Sequence, residues 1–92
     1  MTIAVVGIGL IGGSLVLDLR KRKFADRIIG VDNNPQHRNI ALLCGLIDEA
    51  DTLENAVDKS DIIILCAPVD ANCRMLPGIL DRIAGTQKIV TD

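Results

Sequence analysis

The chain alternates short apolar runs with segments whose apolar residues recur at helical spacing. Three runs are rich in β-branched residues, at Ile3–Val6, Arg27–Asp32 and Asp61–Cys66. Glycine, polar or proline residues bound each run, which predicts strands of a parallel sheet covered on both faces. We expect Asp61–Cys66, apolar after its first residue, to be central. Weaker strands are predicted at Leu46–Glu49 and Lys88–Asp92.

Helical segments are predicted between these strands. The first follows the glycine-rich stretch 7–13 and places Ile11, Leu15 and Leu19 on one apolar face. The second is expected to begin with Asn34 as N-cap, and its buried side is expected to comprise Ile40, Ala41 and Cys44.

Two further helices are predicted in the second half of the chain. Asp51 and Glu54 have the spacing of a capping box, opening a short helix that buries Leu53, Ala56 and Val57. Asp70 is expected to cap the last helix, which Pro77-Gly78 should kink or divide. The βαβ order predicts an α/β fold with a parallel sheet of about five strands.

Composition restricts the class of protein. The 92 residues are 49% hydrophobic and 24% charged, which is typical of a globular chain. A length below the usual domain size of about 100–150 residues allows one domain at most, or a part of one. The net charge of −2 and the single aromatic residue, Phe24, argue against nucleic acid as a partner. No apolar run is long enough to cross a membrane.

The three cysteines match neither a disulfide framework nor a metal site, because they are odd in number and widely spaced. We expect free thiols in a reducing, cytoplasmic location, with Cys44 and Cys66 as small core residues. The N-terminus has no secretory leader pattern, so we interpret the chain as starting at Met1.

A glycine motif carries the chemistry that the sequence suggests. Gly7, Gly9 and Gly12 form a GxGxxG run that follows a predicted strand and opens a predicted helix. Gly7 permits the tight turn, Gly9 lets the backbone approach a pyrophosphate, and Gly12 allows close packing of helix on strand. The helix N-terminus then faces the diphosphate. This pattern predicts a Rossmann-like, doubly wound dinucleotide-binding fold.

Asp32 ends the second predicted strand 20 residues after Gly12, the position from which a carboxylate binds the adenosine ribose. The same carboxylate would repel a 2′-phosphate, and the residues that follow, Asn33 and Asn34, supply no arginine to bind one. NAD is therefore favoured over NADP as cofactor, with Asn33 as a neighbouring contact.

The end of the third apolar run is expected to line the same crevice. Cys66, Ala67 and Pro68 leave the carboxyl end of that strand and offer the dinucleotide an apolar wall. The lone histidine, His37, lies in a polar stretch and is expected to be exposed to solvent, without a catalytic role. With no second histidine, paired carboxylates or metal-ligand cluster, no catalytic or metal-binding residue is assigned.

The segments Val5–Leu15, Ile29–Asp32 and Asp61–Val69 together resemble the start of the prephenate/arogenate dehydrogenase family. The segment Gly-Leu-Ile-Gly-Gly-Ser at 9–14 is the part of this resemblance that is most specific to the family. The resemblance implies NAD(P)-dependent oxidation and decarboxylation of prephenate to 4-hydroxyphenylpyruvate, or of arogenate to tyrosine. It also implies that Leu10 and Ile11 join the cofactor contacts named above, which are Gly7, Gly9, Gly12, Asp32 and the Ala67-Pro68 loop.

Members of that family continue into a catalytic histidine and a helical domain that binds substrate and dimerises. The resemblance therefore implies that residues 1–92 are the N-terminal dinucleotide-binding domain, truncated and expected to be inactive alone, with the helical domain and its small-molecule substrate site absent. The exposed edge strand at Lys88–Val90 predicts self-association, as a homodimer or by strand exchange. Two alternatives remain: a dehydrogenase of the 6-phosphogluconate or β-hydroxyacid type, and a nucleotide-sensing module without chemistry.

Overall fold

The structure is a computed structural model that describes the backbone of residues 1–92 and the side chains of all of them except Leu10 and Ile11. The strands are β1 (Thr2–Val6), β2 (Arg27–Val31), β3 (Glu49–Ala50), β4 (Ile62–Leu65) and β5 (Ile89–Thr91). The helices are α1 (Leu10–Lys21), α2 (Pro35–Leu43), α3 (Leu53–Lys59) and α4 (Val69–Ile83). Strands and helices alternate along the chain as the periodicity predicts.

The strands form one parallel sheet in the order β3-β2-β1-β4-β5. The chain therefore runs outward from β1 in one direction, then crosses back to the other side of β1. In a doubly wound sheet this reversal creates a crevice beyond the carboxyl ends of the two strands concerned, β1 and β4. β1 takes the middle position, and β4, expected to be central, lies between β1 and the edge strand β5.

Both faces of the sheet are covered, which explains the continuous apolar runs. In β1, Ile3 and Val5 pack with Val16 of α1 and Ala41 of α2 on one face. The alternate residues of β1 face a second cluster, which α3 and α4 complete with Ala56, Val57 and Ile79. This arrangement confirms the Rossmann-like, doubly wound fold. It also fixes the register, because a slip of one residue would exchange the two faces.

The second helix differs from its predicted burial. Ala41 is buried, but Ile40 is 58% exposed and Cys44 is also exposed. The expectation that Ile40 and Cys44 face the core was wrong, because this short helix buries a narrow stripe and Ile47, after the helix, fills the space beside Ala41. The predicted N-cap is confirmed, because the Asn34 side chain accepts from the Gln36 N–H. Gly45, which follows the helix, has φ +70°.

The caps of the last two helices also differ from those predicted. Thr52, not Asp51, is the N-cap of α3, and its hydroxyl accepts from the Asn55 N–H at 3.2 Å. Asp51 lies one residue earlier and accepts from the Thr52 N–H. Asp70 does not cap α4, since Pro68 is the N-cap and Asp70 lies within the first turn.

Pro77 does not divide α4, which continues as one helix to Ile83. Proline removes one backbone donor, and on the exposed side of a helix water can bind the carbonyl that this donor leaves unpaired. Here Ile79 is buried against the sheet while Pro77 and Gly78 are exposed. None of the helices in the described part of the chain has the length and apolarity needed to cross a bilayer.

Candidate functional site

The glycine turn lies where the sheet reverses direction. After β1, Gly7 takes φ +92°, a conformation that side-chain-bearing residues rarely adopt. Its N–H donates to the Val31 carbonyl at 2.7 Å, which ties the turn to β2. A Cβ at Gly7 would lie 2.7 Å from the backbone nitrogen of Ala67. The turn is therefore held tightly between the ends of β2 and β4.

The other two glycines of the motif have different surroundings. A Cβ at Gly12 would lie 2.1 Å from the Gly7 carbonyl oxygen, so α1 packs directly on the end of β1. At Gly9, the first atom that a Cβ would meet is Cε1 of His37, 3.8 Å away. The fold thus requires glycine at Gly7 and Gly12, whereas the position above Gly9 is open apart from an ordinary van der Waals contact with the His37 ring.

α1 begins at this open position. Gly9 is its N-cap, its cap receives no side-chain hydrogen bond, and its first turn contains no acidic residue. The N-terminal turn of a helix has backbone N–H groups without helical partners and carries a partial positive charge. An anion placed above Gly9 would meet both.

Asp32 follows β2 and is bound on both carboxylate oxygens. Oδ2 accepts from the Ile8 N–H at 2.9 Å and contacts Nδ1 of His37 at 3.1 Å, and Oδ1 accepts from the Asn34 N–H at 2.8 Å. Its side chain is only 13% exposed. Burial alone would raise the pKa of Asp32, but the hydrogen bonds from Asn34, His37 and Ile8 hold that pKa below its usual value. The group is an ionised carboxylate at neutral pH.

His37 was expected to be exposed and to have no part in the site, and the structure corrects the first expectation. It is half-buried, contacts Asp32, and lines the cleft beside Gly9. The signal was present in the sequence: with Pro35 as first residue of α2, His37 lies in the first turn. Side chains of helices lean toward the N-terminus, which brings His37 back to the end of β2.

Arg38 was also missed. Its Nη1 donates to the main-chain oxygen of Asp32 at 2.6 Å. No arginine follows Asp32 directly in the sequence, but one helical turn later this guanidinium reaches the same strand end. The crevice therefore contains a cation beside the carboxylate that was expected to favour NAD.

The glycine turn, Asp32 and His37 line a cleft of about 470 Å³, and Arg38 lines a neighbouring cleft that shares Asp32. Of the residues predicted to bind the cofactor, the described ones that line it are Gly7, Gly9, Asp32, Asn33, Cys66, Ala67 and Pro68. Gly12 lies behind the turn, against Gly7, and the predictions for Leu10 and Ile11 lie outside the described residues. Three residues of α4 that were not predicted complete the wall, namely Ala71, Arg74 and Met75.

Cys66 lies at the floor of the cleft and is partly buried, in agreement with its prediction as a small packing residue. Burial raises the pKa of its thiol, so the sulfur stays protonated at neutral pH. All three cysteines are free. The cleft therefore combines an open glycine backbone, one carboxylate, one imidazole, the guanidinium of Arg74 and an apolar wall.

Comparison with known proteins identifies prephenate dehydrogenases as relatives of this chain. The family described as "Prephenate dehydrogenase, nucleotide-binding domain" matches residues 15–92. A prephenate dehydrogenase of Bacillus subtilis (strain 168) is 34% identical over 92 residues, which cover 99% of this chain and 25% of the relative. The chain thus spans about a quarter of the length of the curated relatives it matches.

Solved structures of prephenate and arogenate dehydrogenases are also similar to this chain. A prephenate dehydrogenase from A. aeolicus, in complex with hydroxyphenyl propionate and NAD+, is 31% identical with a TM-score of 0.79 over 100% of this chain and 32% of its own. A Synechocystis arogenate dehydrogenase is 37% identical with a TM-score of 0.78 over the same shares.

Proposed function

Because this chain belongs to the prephenate dehydrogenase family, we propose that it is the dinucleotide-binding part of an NAD-dependent prephenate or arogenate dehydrogenase of tyrosine biosynthesis. The whole enzyme would oxidise and decarboxylate prephenate to 4-hydroxyphenylpyruvate, or arogenate to tyrosine. The 92 residues would bind the cofactor, and the substrate site, catalytic groups and helical dimerisation domain would belong to the rest of the enzyme. We place the enzyme in the cytoplasm.

The open backbone at Gly9 carries this proposal. Among the described residues, a Cβ there would contact only the ring of His37, so packing does not require glycine at this position. A bound pyrophosphate does require it, because its oxygens must approach the N–H groups of the turn closely. The glycine is thus explained by a ligand rather than by packing.

The other lining groups fit the remaining parts of a dinucleotide. Asp32 accepts from three protein donors, and a carboxylate can accept about four hydrogen bonds, which leaves capacity for a ribose hydroxyl. Ala67, Pro68 and Met75 would pack against the flat rings, in a chain with almost no aromatic residues. NAD bound there would accept the hydride that the substrate loses.

We propose NAD rather than NADP because Asp32 is ionised and would repel a 2′-phosphate. Arg38 is the opposing influence, but its Nη1 is already bound to the main-chain oxygen of Asp32.

Calorimetric titration with NAD tests the proposal. We expect micromolar to millimolar affinity and a loss of binding in Gly9→Val, whose side chain would occupy the diphosphate position. The matched control is Gly78→Val in α4, where nothing lies within 4 Å of the added Cβ, and which should bind like the wild type. A folded wild-type chain that does not bind NAD contradicts the proposal.

A further inference from the structure

One side chain at the candidate site has no part in the function proposed so far. His37 projects from the first turn of α2 into the cleft, with Nδ1 3.1 Å from Oδ2 of Asp32. On the other side of the ring, Cε1 is the nearest atom to the open position above Gly9, at 3.8 Å from a Cβ built there. The imidazole thus lies between the group that would bind the ribose and the backbone that would bind the diphosphate.

We propose that His37 is a second anion-binding group of the dinucleotide site, and that its charged form binds the cofactor diphosphate more tightly than its neutral form. This inference rests on the proposed function, since it concerns the same cleft.

The ring geometry supports a fixed orientation. Nδ1 faces the carboxylate of Asp32, which is an acceptor only, so Nδ1 carries a hydrogen and donates it. This leaves Nε2, bonded to Cε1, on the ring edge that borders the space above Gly9. In the imidazolium form Nε2 also donates, and the ring brings a positive charge to the place where the diphosphate would lie. In the neutral form Nε2 is a hydrogen-bond acceptor only, so it cannot donate to a phosphate oxygen.

The charged groups around the ring come from three elements. Asp32 at the end of β2 faces it directly, Arg38 lies on the same helix with its guanidinium on the Asp32 main chain, and Arg74 of α4 lines the same cleft. Cys66 at the end of β4 completes the titratable groups of the cleft.

Of the residue types in this cleft, histidine is the one whose charge ordinarily changes between about pH 5 and 8. The pKa of Asp32 is held below its usual value, so that carboxylate stays ionised, and burial raises the pKa of Cys66, so that thiol stays neutral. Both arginines stay cationic. The diphosphate of NAD keeps its charge over the same range. A change of affinity across this range therefore reports on His37.

The test is the affinity of the 92-residue chain for NAD, measured by calorimetry at several pH values from 5.5 to 8.5 under constant ionic strength. We expect the affinity of the wild type to fall about threefold to tenfold as the pH rises, the size of one exposed charge-assisted contact. His37→Gln can still donate to Asp32 but does not titrate, so its affinity should be independent of pH and close to that of the wild type at pH 8.5.

The matched control is Asn39→Ala, an exposed residue of the same helix, which should keep the pH dependence of the wild type. NAD binding that does not change with pH in the wild type, or that changes equally in His37→Gln, would overturn the role of His37 and leave the proposed function intact. A chain that does not bind NAD at any pH would overturn the proposed function, and this inference with it.

Discussion

The three glycines of the motif have distinct tasks, and each can be identified from what surrounds its α-carbon. Gly7 and Gly12 are required by the fold, since an added Cβ would lie within 3 Å of backbone atoms. Gly9 is free of such contacts. The three glycines look alike in the sequence, but in the structure two of them are required for folding and the third is available for binding.

Alanine substitutions should separate these tasks. Gly12→Ala places a Cβ 2.1 Å from the Gly7 carbonyl oxygen, so α1 must move away from β1, and we expect a loss of about 1–3 kcal/mol in the free energy of unfolding. Gly9→Ala should change the free energy of unfolding by less than about 0.5 kcal/mol. Urea unfolding followed by circular dichroism measures both. Equal destabilisation by the two substitutions would contradict this division.

Asp32 should control the choice between cofactors. Asp32→Asn removes the charge that would repel a 2′-phosphate and leaves Arg38 beside the same strand end. We expect the ratio of NADP to NAD affinity to rise about tenfold, the effect of roughly 1.4 kcal/mol. Adding Arg38→Gln to this variant should remove most of the gain. Competition titrations with both dinucleotides measure the ratio, and an unchanged ratio in Asp32→Asn argues against a role of the carboxylate in selectivity.

Among individual residues, the sequence predicts those whose place at the site follows from their position at the end of a strand. Gly7, Asp32 and Ala67 lie at strand ends, and parallel strands bring their carboxyl ends together. His37 and Arg38 depend in addition on where α2 begins and how it leaves the sheet. The predicted N-cap at Asn34 indicates that His37 leans back from the first turn, but it does not indicate how the helix leaves the sheet. Both approach Asp32 from α2, and no periodicity in the sequence indicates that approach.

Among the secondary-structure elements, two helices have a glycine in contrasting places, one after the end of α2 and one within α4. Gly45 follows α2 with φ +70°, whereas Gly78 lies within α4, and a Cβ at either position meets nothing within 4 Å. The two glycines therefore differ in backbone conformation and not in packing.

The same substitution should have opposite effects at these two positions. Gly78→Ala should raise the free energy of unfolding by about 0.5–1 kcal/mol, because alanine loses less backbone entropy in a helix. Gly45→Ala should lower it by about 1–2 kcal/mol, since a Cβ disfavours positive φ. Thermal unfolding of both variants gives the comparison. Changes of the same sign would mean that α2 or α4 ends elsewhere in solution.

Element order and strand positions follow from the sequence because buried runs and turn residues are local signals. The caps are less certain, since adjacent polar residues such as Asp51 and Thr52 compete for the same helix end. The hydroxyl of Thr52 reaches the Asn55 N–H, while Asp51 binds the Thr52 N–H and Lys59. The exposure of Ile40 likewise depends on Ile47, which occupies the neighbouring space. Such competition is decided by packing, not by local preference.

On the scale of the whole molecule, β5 is an edge strand whose outer side pairs with no other strand of the described chain. β5 lies at the end of the sheet and pairs with β4 on its inner side. Its residue Ile89 is 57% exposed. An open edge offers backbone donors and acceptors to another chain. We propose that the 92-residue chain self-associates through this edge.

Light scattering over a range of concentrations tests this proposal. We expect the average mass to rise with concentration, and Ile89→Lys to reduce that rise by placing a charge on the edge. Gln36→Lys, at an exposed position of α2, is the charge-matched control and should associate like the wild type. A wild type that remains monomeric at high concentration would contradict the proposal.

The central claim is that the crevice between β1 and β4 binds a dinucleotide. Mapping of amide chemical shifts during a titration with NAD tests it most directly, because it reports both binding and place. The account predicts saturable shifts concentrated at Ile8, Gly9, Asn33 and Ala67, with the amides of β5 little changed. Shifts that are absent, or that concentrate away from the glycine turn, would contradict it.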